Sequence, residues 1–105
     1  MATSSTPTIA YEDLLQAHQN GACTVVDVRE PQEYAGGHIP GAVNHPLSQF
    51  DPARVPRGER VVLICQFGGR SAAAMKGMIA VGRQDAQHYA AGMSGWRARK
   101  GPVER

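Results

Sequence analysis

Nowhere in the chain do apolar residues continue for the ~20 positions a membrane helix needs, and the opening "MATSSTPTIA" has neither a basic start nor an apolar run to serve as a leader. A cytoplasmic protein without a membrane partner is the expectation. The formal charge is only +2, and outside the closing "RARKGPVER" the basic residues are scattered, so no nucleic-acid surface is predicted. The closing stretch reads as a solvated end, with residues 102–105 as a tail and 1–7 as a flexible start. Cysteine is scarce. Cys23 and Cys65 allow one disulfide at most, and a reducing compartment keeps both as thiols. With no C-x-x-C, no paired Cys/His spacing and no H-E-x-x-H, neither a zinc site nor a dithiol redox centre is expected. A length of 105 residues allows one domain, 1–105, and no segment has the composition of a linker or repeat. The chain is expected to work as a monomer.

Aliphatic bursts are present, and they alternate with helical patterns and turn residues, as strand-helix-strand units do. "TIA" is a short first strand, and "YEDLLQAHQNG" an amphipathic helix with Leu14, Leu15 and His18 on one side and Gly21 as its stop. The unbroken apolar run "CTVVDV" marks a strand covered on both faces, and "RVVLIC" is the strongest strand in the chain. A short helix follows Pro31, a brief strand covers Ala42 to Asn44, "LSQF" is another short helix, and "DPARVPRGE" is loop by its prolines. "SAAAMKGMIAVG" is a helix of small residues, "AQHY" a last strand and "SGWRARK" a closing helix. The fold class is therefore α/β, with about five strands in a mostly parallel sheet and helices on both faces.

In such a sheet, ligands bind beyond the carboxyl ends of the strands. Cys65 stands at that edge, in "LICQFGGRSAAA". Gly68 and Gly69 permit a sharp backbone curve that turns successive N–H groups toward one point, and the helix beginning near Arg70 or Ser71 adds free N–H groups and its positive dipole end. Such a cradle stabilises an anion, and the Cys65 sulfur can be that anion. A cysteine so placed has its pKa lowered from about 8.5 to roughly 3.5–7.5, which makes it a nucleophile at neutral pH. Arg70 carries a planar fork suited to an oxyanion such as thiosulfate, or else it only caps or solvates the helix start. Cys23, at the start of its strand, reads as a small buried hydrophobe.

Three segments carry a family resemblance over nearly the whole chain. "VVDVREPQEYAGGHIPGAVNHPL" resembles the first signature region of the rhodaneses, "VVLICQFGGRSAAA" resembles their active-site loop, and "AAGMSGWRARKGPV" is similar to their carboxyl-terminal signature. The resemblance implies a single rhodanese domain and a sulfurtransferase. By it, Cys65 accepts a sulfane sulfur as a persulfide, and Gln66, Phe67, Gly68, Gly69, Arg70 and Ser71 form the loop that binds the substrate. The donor implied is a small anion, thiosulfate or a persulfide or polysulfide. The acceptor is a thiol, a protein thiol or cyanide, and no cofactor is required.

The chain also departs from the pattern. Gln66 and Phe67 stand where the two-domain thiosulfate enzymes have basic residues, which favours a persulfide or polysulfide over thiosulfate as donor. Phe67 either lines an apolar mouth or packs against the domain, and packing is the preferred reading. Ala91 replaces the first glycine of the usual Gly-Gly-Met stretch, a change expected to alter a turn. Asp27 is read as fixing neighbouring loops, Arg29 and Glu33 as a structural charge cluster beside it, His38 as a satisfied structural residue and Trp96 as core. His18, His45 and His88 share no spacing. The rival readings are a non-enzymatic rhodanese-like module and a cysteine phosphatase or arsenate reductase. The latter enzymes use C-x(5)-R where this chain has C-x(4)-R. A low-pKa, exposed Cys65 is also expected to be sensitive to peroxide.

Overall fold

Four short strands form a parallel sheet: β1 (Thr24–Asp27), β2 (Val43–Asn44), β3 (Val61–Ile64) and β4 (Ala86–His88), in the order β2-β1-β3-β4. The computed structural model describes residues 7–58 and 60–105, so the flexible start expected for residues 1–7 lies, but for Pro7, outside the described residues. The expected first strand is reduced to a single parallel bridge. Thr8 pairs with His88, the Ile9 N–H donates to the His88 carbonyl at 3.1 Å, and the His88 N–H donates to the Pro7 carbonyl at 3.0 Å. The five expected strands are thus four and an edge bridge beside β4.

Four α-helices connect and cover the strands: α1 (Tyr11–Gln19), α2 (Pro31–Ala35), α3 (Gly69–Ala80) and α4 (Gly92–Ala98). Two 3₁₀ turns, Leu47–Gln49 and Pro52–Arg54, complete the elements of the described residues. The second of these falls in the segment read as loop. Pro52 is there a helix-starting residue, because its fixed φ suits the first turn, and the Asp51 carboxylate accepts from the Ala53 N–H at 3.0 Å.

The unbroken apolar runs of β1 and β3 are explained by two cores. With side chains alternating along a strand, Val25, Val62 and Ile64 face one cluster with Leu14 of α1, Met93 and Trp96 of α4 and Ile39. Val26, Val61 and Leu63 face the other, with Ala74, Met75 and Met78 of α3. Full burial of each such aliphatic side chain contributes about 1.5–3 kcal/mol. Cys65, one step past β3, continues the alternation and points to the α3 side.

The carboxyl end of the chain is solvated, with Pro102, Glu104 and Arg105 exposed as its composition suggests, but it is not a loose tail. The His38 and Glu104 backbones exchange hydrogen bonds at 2.9 Å in both directions, the Trp96 Nε1–H donates to the Pro102 carbonyl at 2.8 Å, and Val103 packs against the first cluster. Residues 102–104 therefore fold back against Trp96 of α4 and the segment at His38. In the register of β1 against β3, Asp27 lies beside Ile64, so the loops that leave these strands emerge side by side.

Candidate active site

Cys65 opens the loop between β3 and α3. Its Sγ accepts from the backbone N–H of Gly68 at 3.1 Å and from that of Ser71 at 3.2 Å, and lies 3.5 Å from the Ser71 Oγ. The curve that aims these amides depends on Gly68, which has φ 98° in the left-handed region. A Cβ at Gly68 would also stand 2.2 Å from the Ala90 carbonyl oxygen, so only glycine fits. Gly69 opens α3 with no positive φ and with free space where a Cβ would be, so neither its backbone nor its surroundings require glycine. The twelve-residue α3 points its positive end at the sulfur.

A second helix holds the loop from the other side. The Met93 N–H donates to the Cys65 carbonyl at 2.8 Å and the Ser94 N–H to the Gln66 carbonyl at 3.1 Å, so the start of α4 fixes the loop's carbonyls while the loop's amides turn to the sulfur. Gly92 (φ 66°) makes that approach possible, since a Cβ there would lie 2.4 Å from the Gln66 oxygen. Ala91, with φ −73°, has ordinary right-handed backbone, which is why alanine is accepted there.

The electrostatic outcome is a balance. Burial pushes the Cys65 thiol pKa up, and hydrogen bonds from the Ser71 hydroxyl and the Ser71, Gly68 and Phe67 amides outweigh it, so the net shift is downward. Cys65 is nevertheless only 1% exposed, which corrects the expectation of an exposed thiol. Cys23 behaves oppositely: half-buried, it has its pKa raised by burial first.

Around this cradle the charged residues are already engaged. Both terminal nitrogens of Arg70 bind the Glu33 carboxylate, at 2.7 and 2.9 Å, while Glu33 also caps α2 by accepting from the Glu30 N–H at 3.0 Å. Glu33 therefore braces the Cys65 loop, while the Arg29 charge of the Asp27 cluster in which sequence places it also acts on its carboxyl. Its pKa is lowered to about 2, chiefly by the hydrogen bond from Arg70. Asp27 is fully buried and accepts from the Arg29 backbone N–H, Nε and Nη2, at 2.8 to 3.1 Å. Arg29 then donates to the Gly37 carbonyl at 2.7 Å and to the Gln66 Oε1 at 3.4 Å. Asp27 thus does fix the loops around it. Phe67 is 77% exposed, so the reading that it packs against the domain is wrong.

One residue that sequence passed over joins the site. His88 ends β4 on the same face as Leu63, with its Nδ1 2.9 Å from the Ser71 Oγ. Among the histidines, spacing carried no signal. The alternation of "AQHY" did carry one, because it turns His88 inward beside Ala86, toward α3. His38 is structural as read, stacked on Tyr34 at 3.7 Å with its Nδ1 2.8 Å from the Tyr34 carbonyl, and Trp96 is fully buried. Surface hollows of about 210 and 230 Å³ lie at the opposite ends of the strands, lined by residues such as Asp13, His18, Cys23 and Arg60, and contain no comparable cradle. Among the described residues there is no cluster of His, Cys, Asp and Glu suited to a metal, and no helix is long and apolar enough to cross a membrane.

The chain is 36% identical over 93 residues to a thiosulfate sulfurtransferase, GlpE, of Pseudomonas aeruginosa, covering 86% of this chain and 83% of that protein. It is 37% identical over 98 residues to an uncharacterised protein of Synechocystis sp., spanning 91% of this chain and 55%, about half, of that longer relative. Among solved structures, the human single-domain sulfurtransferase TSTD1 superposes with a TM-score of 0.80 at 29% identity, over 91% of this chain and 99% of that one. The model of the rhodanese-like domain matches residues 10–99, and the chain belongs to that family.

Proposed function

We propose that this chain is a sulfurtransferase that carries a sulfane sulfur on Cys65. The reading is carried by the Cys65 sulfur held by the Gly68 and Ser71 amides at the start of α3, in a loop with four residues between Cys65 and Arg70. The Cys65 thiolate attacks the outer sulfur of a donor such as thiosulfate, the donor's S–S bond breaks, and sulfite leaves with the electron pair. Cys65 is left as a persulfide whose terminal negative charge the amides and the α3 dipole favour. An acceptor thiolate or cyanide then attacks the outer sulfur, and Cys65 returns as thiolate. No proton has to be removed from Cys65 during attack, because the cradle already favours the anion.

The names of the Pseudomonas and human relatives support this class of reaction. Gln66 and the exposed Phe67 support a persulfide or polysulfide donor, since neither adds positive charge beside the sulfur. The compartment that fits is a reducing one, the cytoplasm, in which Cys65 stays available as a thiol. A phosphatase is disfavoured because Arg70, the residue that would clamp a phosphate, has both ends on Glu33. The test is an assay with thiosulfate and cyanide: thiocyanate formation with parallel-line ping-pong kinetics, abolished in Cys65→Ser, with no hydrolysis of an aryl phosphate. Aryl phosphate turnover without thiocyanate would reverse the assignment, and a Cys65→Ser chain that kept full function would make it a binding module.

A further inference from the structure

The Ser71 hydroxyl, besides its part in the cradle, stands at a junction of three polar groups. Its oxygen lies 3.5 Å from the Cys65 Sγ, 2.9 Å from the His88 Nδ1 and 3.2 Å from the Gly68 carbonyl, and the side chain has no solvent exposure. A hydroxyl has one proton to give and two lone pairs to receive. The thiol of Cys65 donates to this oxygen, and the Ser71 proton has two acceptors within reach, the Gly68 carbonyl and, in the tautomer that carries its proton on Nε2, the His88 Nδ1. With the Ser71 proton turned from the Gly68 carbonyl to the ring, a continuous path, S–H to O–H to Nδ1, runs from the nucleophile to an imidazole that is 5% exposed.

We infer that His88 is a positioning residue that holds the Cys65 proton, with the Ser71 hydroxyl as the bridge. The inference rests on the reading of Cys65 as a thiolate nucleophile. In the transfer, the Cys65 S–H bond breaks as an O–H bond forms at Ser71, while the former Ser71 O–H bond breaks as an N–H bond forms at His88 Nδ1. Atoms and charge balance: thiol and imidazole become thiolate and imidazolium. The new Nδ1–H then donates to Ser71, whose proton points to the thiolate, so the hydroxyl becomes a donor to sulfur when sulfur becomes an anion. When an acceptor takes the outer sulfur and Cys65 leaves as thiolate, the proton can return by the same path.

The surroundings of His88 isolate this pair. The edge segment beside it, Pro7 to Ile9, contains no titratable side chain. On α3, Arg70 is bound to Glu33 and Lys76 is exposed, and before β4 the Asp85 carboxylate is bound to Arg83 at 2.9 Å. Among the described residues, Ser71 is the hydrogen-bond partner of the ring, and no carboxylate faces it. Burial alone lowers the His88 pKa, so a charged His88 needs the thiolate as its counter-ion, and the two groups titrate together.

The experiment uses the full chain with Cys23→Ser, so that one thiol reports, and measures the rate of Cys65 alkylation by iodoacetamide from pH 5 to pH 10. The expected result is a two-step profile that becomes a single step in His88→Asn, with alkylation near pH 6.5 slowed about tenfold, one unit in the thiol's apparent pKa, and equal rates above pH 9. Ser71→Ala must remove the second step as well. A His88→Asn profile that superimposes on the parent, or a second step that survives Ser71→Ala, overturns the inference. If either variant melts far below the parent, the native chain supplies the reciprocal measurement. Alkylating Cys65 must lower the His88 pKa read from its imidazole NMR shifts, and an unchanged value refutes the coupling. No sulfur donor enters these measurements, so failure of Cys65 to load sulfur counts against the transferase reading alone.

Discussion

The Glu33 carboxylate grips both terminal nitrogens of Arg70, at 2.7 and 2.9 Å, and joins the cap of α2 to the first turn of α3. An arginine that composition offers as an oxyanion fork is thereby a brace for the loop that holds Cys65. Because Glu33 is lowered to about 2 from an ordinary 4.5, the brace is fully formed above pH 4.5 and is lost as pH falls toward 2. Glu33→Gln keeps an acceptor for the cap and removes the charge. With the carboxylate a third exposed, solvent screening leaves a cost of about 1 kcal/mol at pH 7. Urea unfolding at pH 7 and pH 2 checks the sign: the difference between parent and variant shrinks at the lower pH.

The Asp27–Arg29 pair gives a larger effect. Both side chains are under 5% exposed, and Arg29 also holds Gly37. Arg29→Met leaves the Asp27 carboxylate buried without its partner, and a loss of about 3–5 kcal/mol is expected. The denaturation midpoint of the variant measures it, and a shift within error of the parent would remove this pair from the account of how the loops around Asp27 are fixed.

Gly68 and Gly92 make the cradle possible, and replacing Gly92, with Gly69 as the control, separates geometry from chemistry. Gly92→Ala puts a Cβ 2.4 Å from the Gln66 oxygen at a positive φ, so the loop must move off α4. The expected outcome is more than about 1 kcal/mol of lost stability together with a slower, higher-pH alkylation profile for Cys65. Gly69→Ala, with open space around it, should leave that profile in place.

Phe67 is the opposite case. At 77% exposed it contributes little to the fold, and Phe67→Ala is expected to change stability by less than about 0.5 kcal/mol. If its ring meets the acceptor, the KM for a thiol acceptor rises while thiosulfate loading of Cys65 is unchanged. Separate steady-state measurements with varied donor and varied acceptor distinguish the two.

Much of this was legible in the chain, and the physical reasons divide it cleanly. "RVVLIC" could only be a strand buried on both faces, and Gly68 beside a helix start told where an anion would be held, since both signals are local. The contacts that sequence misjudged are made between distant segments. Arg70 reaches Glu33 across 37 positions and His88 reaches Ser71 across 17, because sheet register brings their loops and faces together. The final residues are exposed as their composition suggests, and what composition does not show is that backbone pairing with His38 ties them down. The prolines of "DPARVPRGE" suggest loop, although at the first position of a turn proline starts a helix as readily as it ends one.

The central claim is that Cys65 carries the sulfur, and intact mass tests it most directly. The reduced protein, briefly exposed to thiosulfate or to a polysulfide, is predicted to gain one sulfur, about 32 Da, that dithiothreitol removes and cyanide converts to thiocyanate, with no gain in Cys65→Ser. Loading by polysulfide alone would fit the missing positive charge at Gln66 and Phe67 and leave the mechanism intact. A native chain that takes up no sulfur from either donor, or a Cys65→Ser chain that takes up as much, contradicts the account.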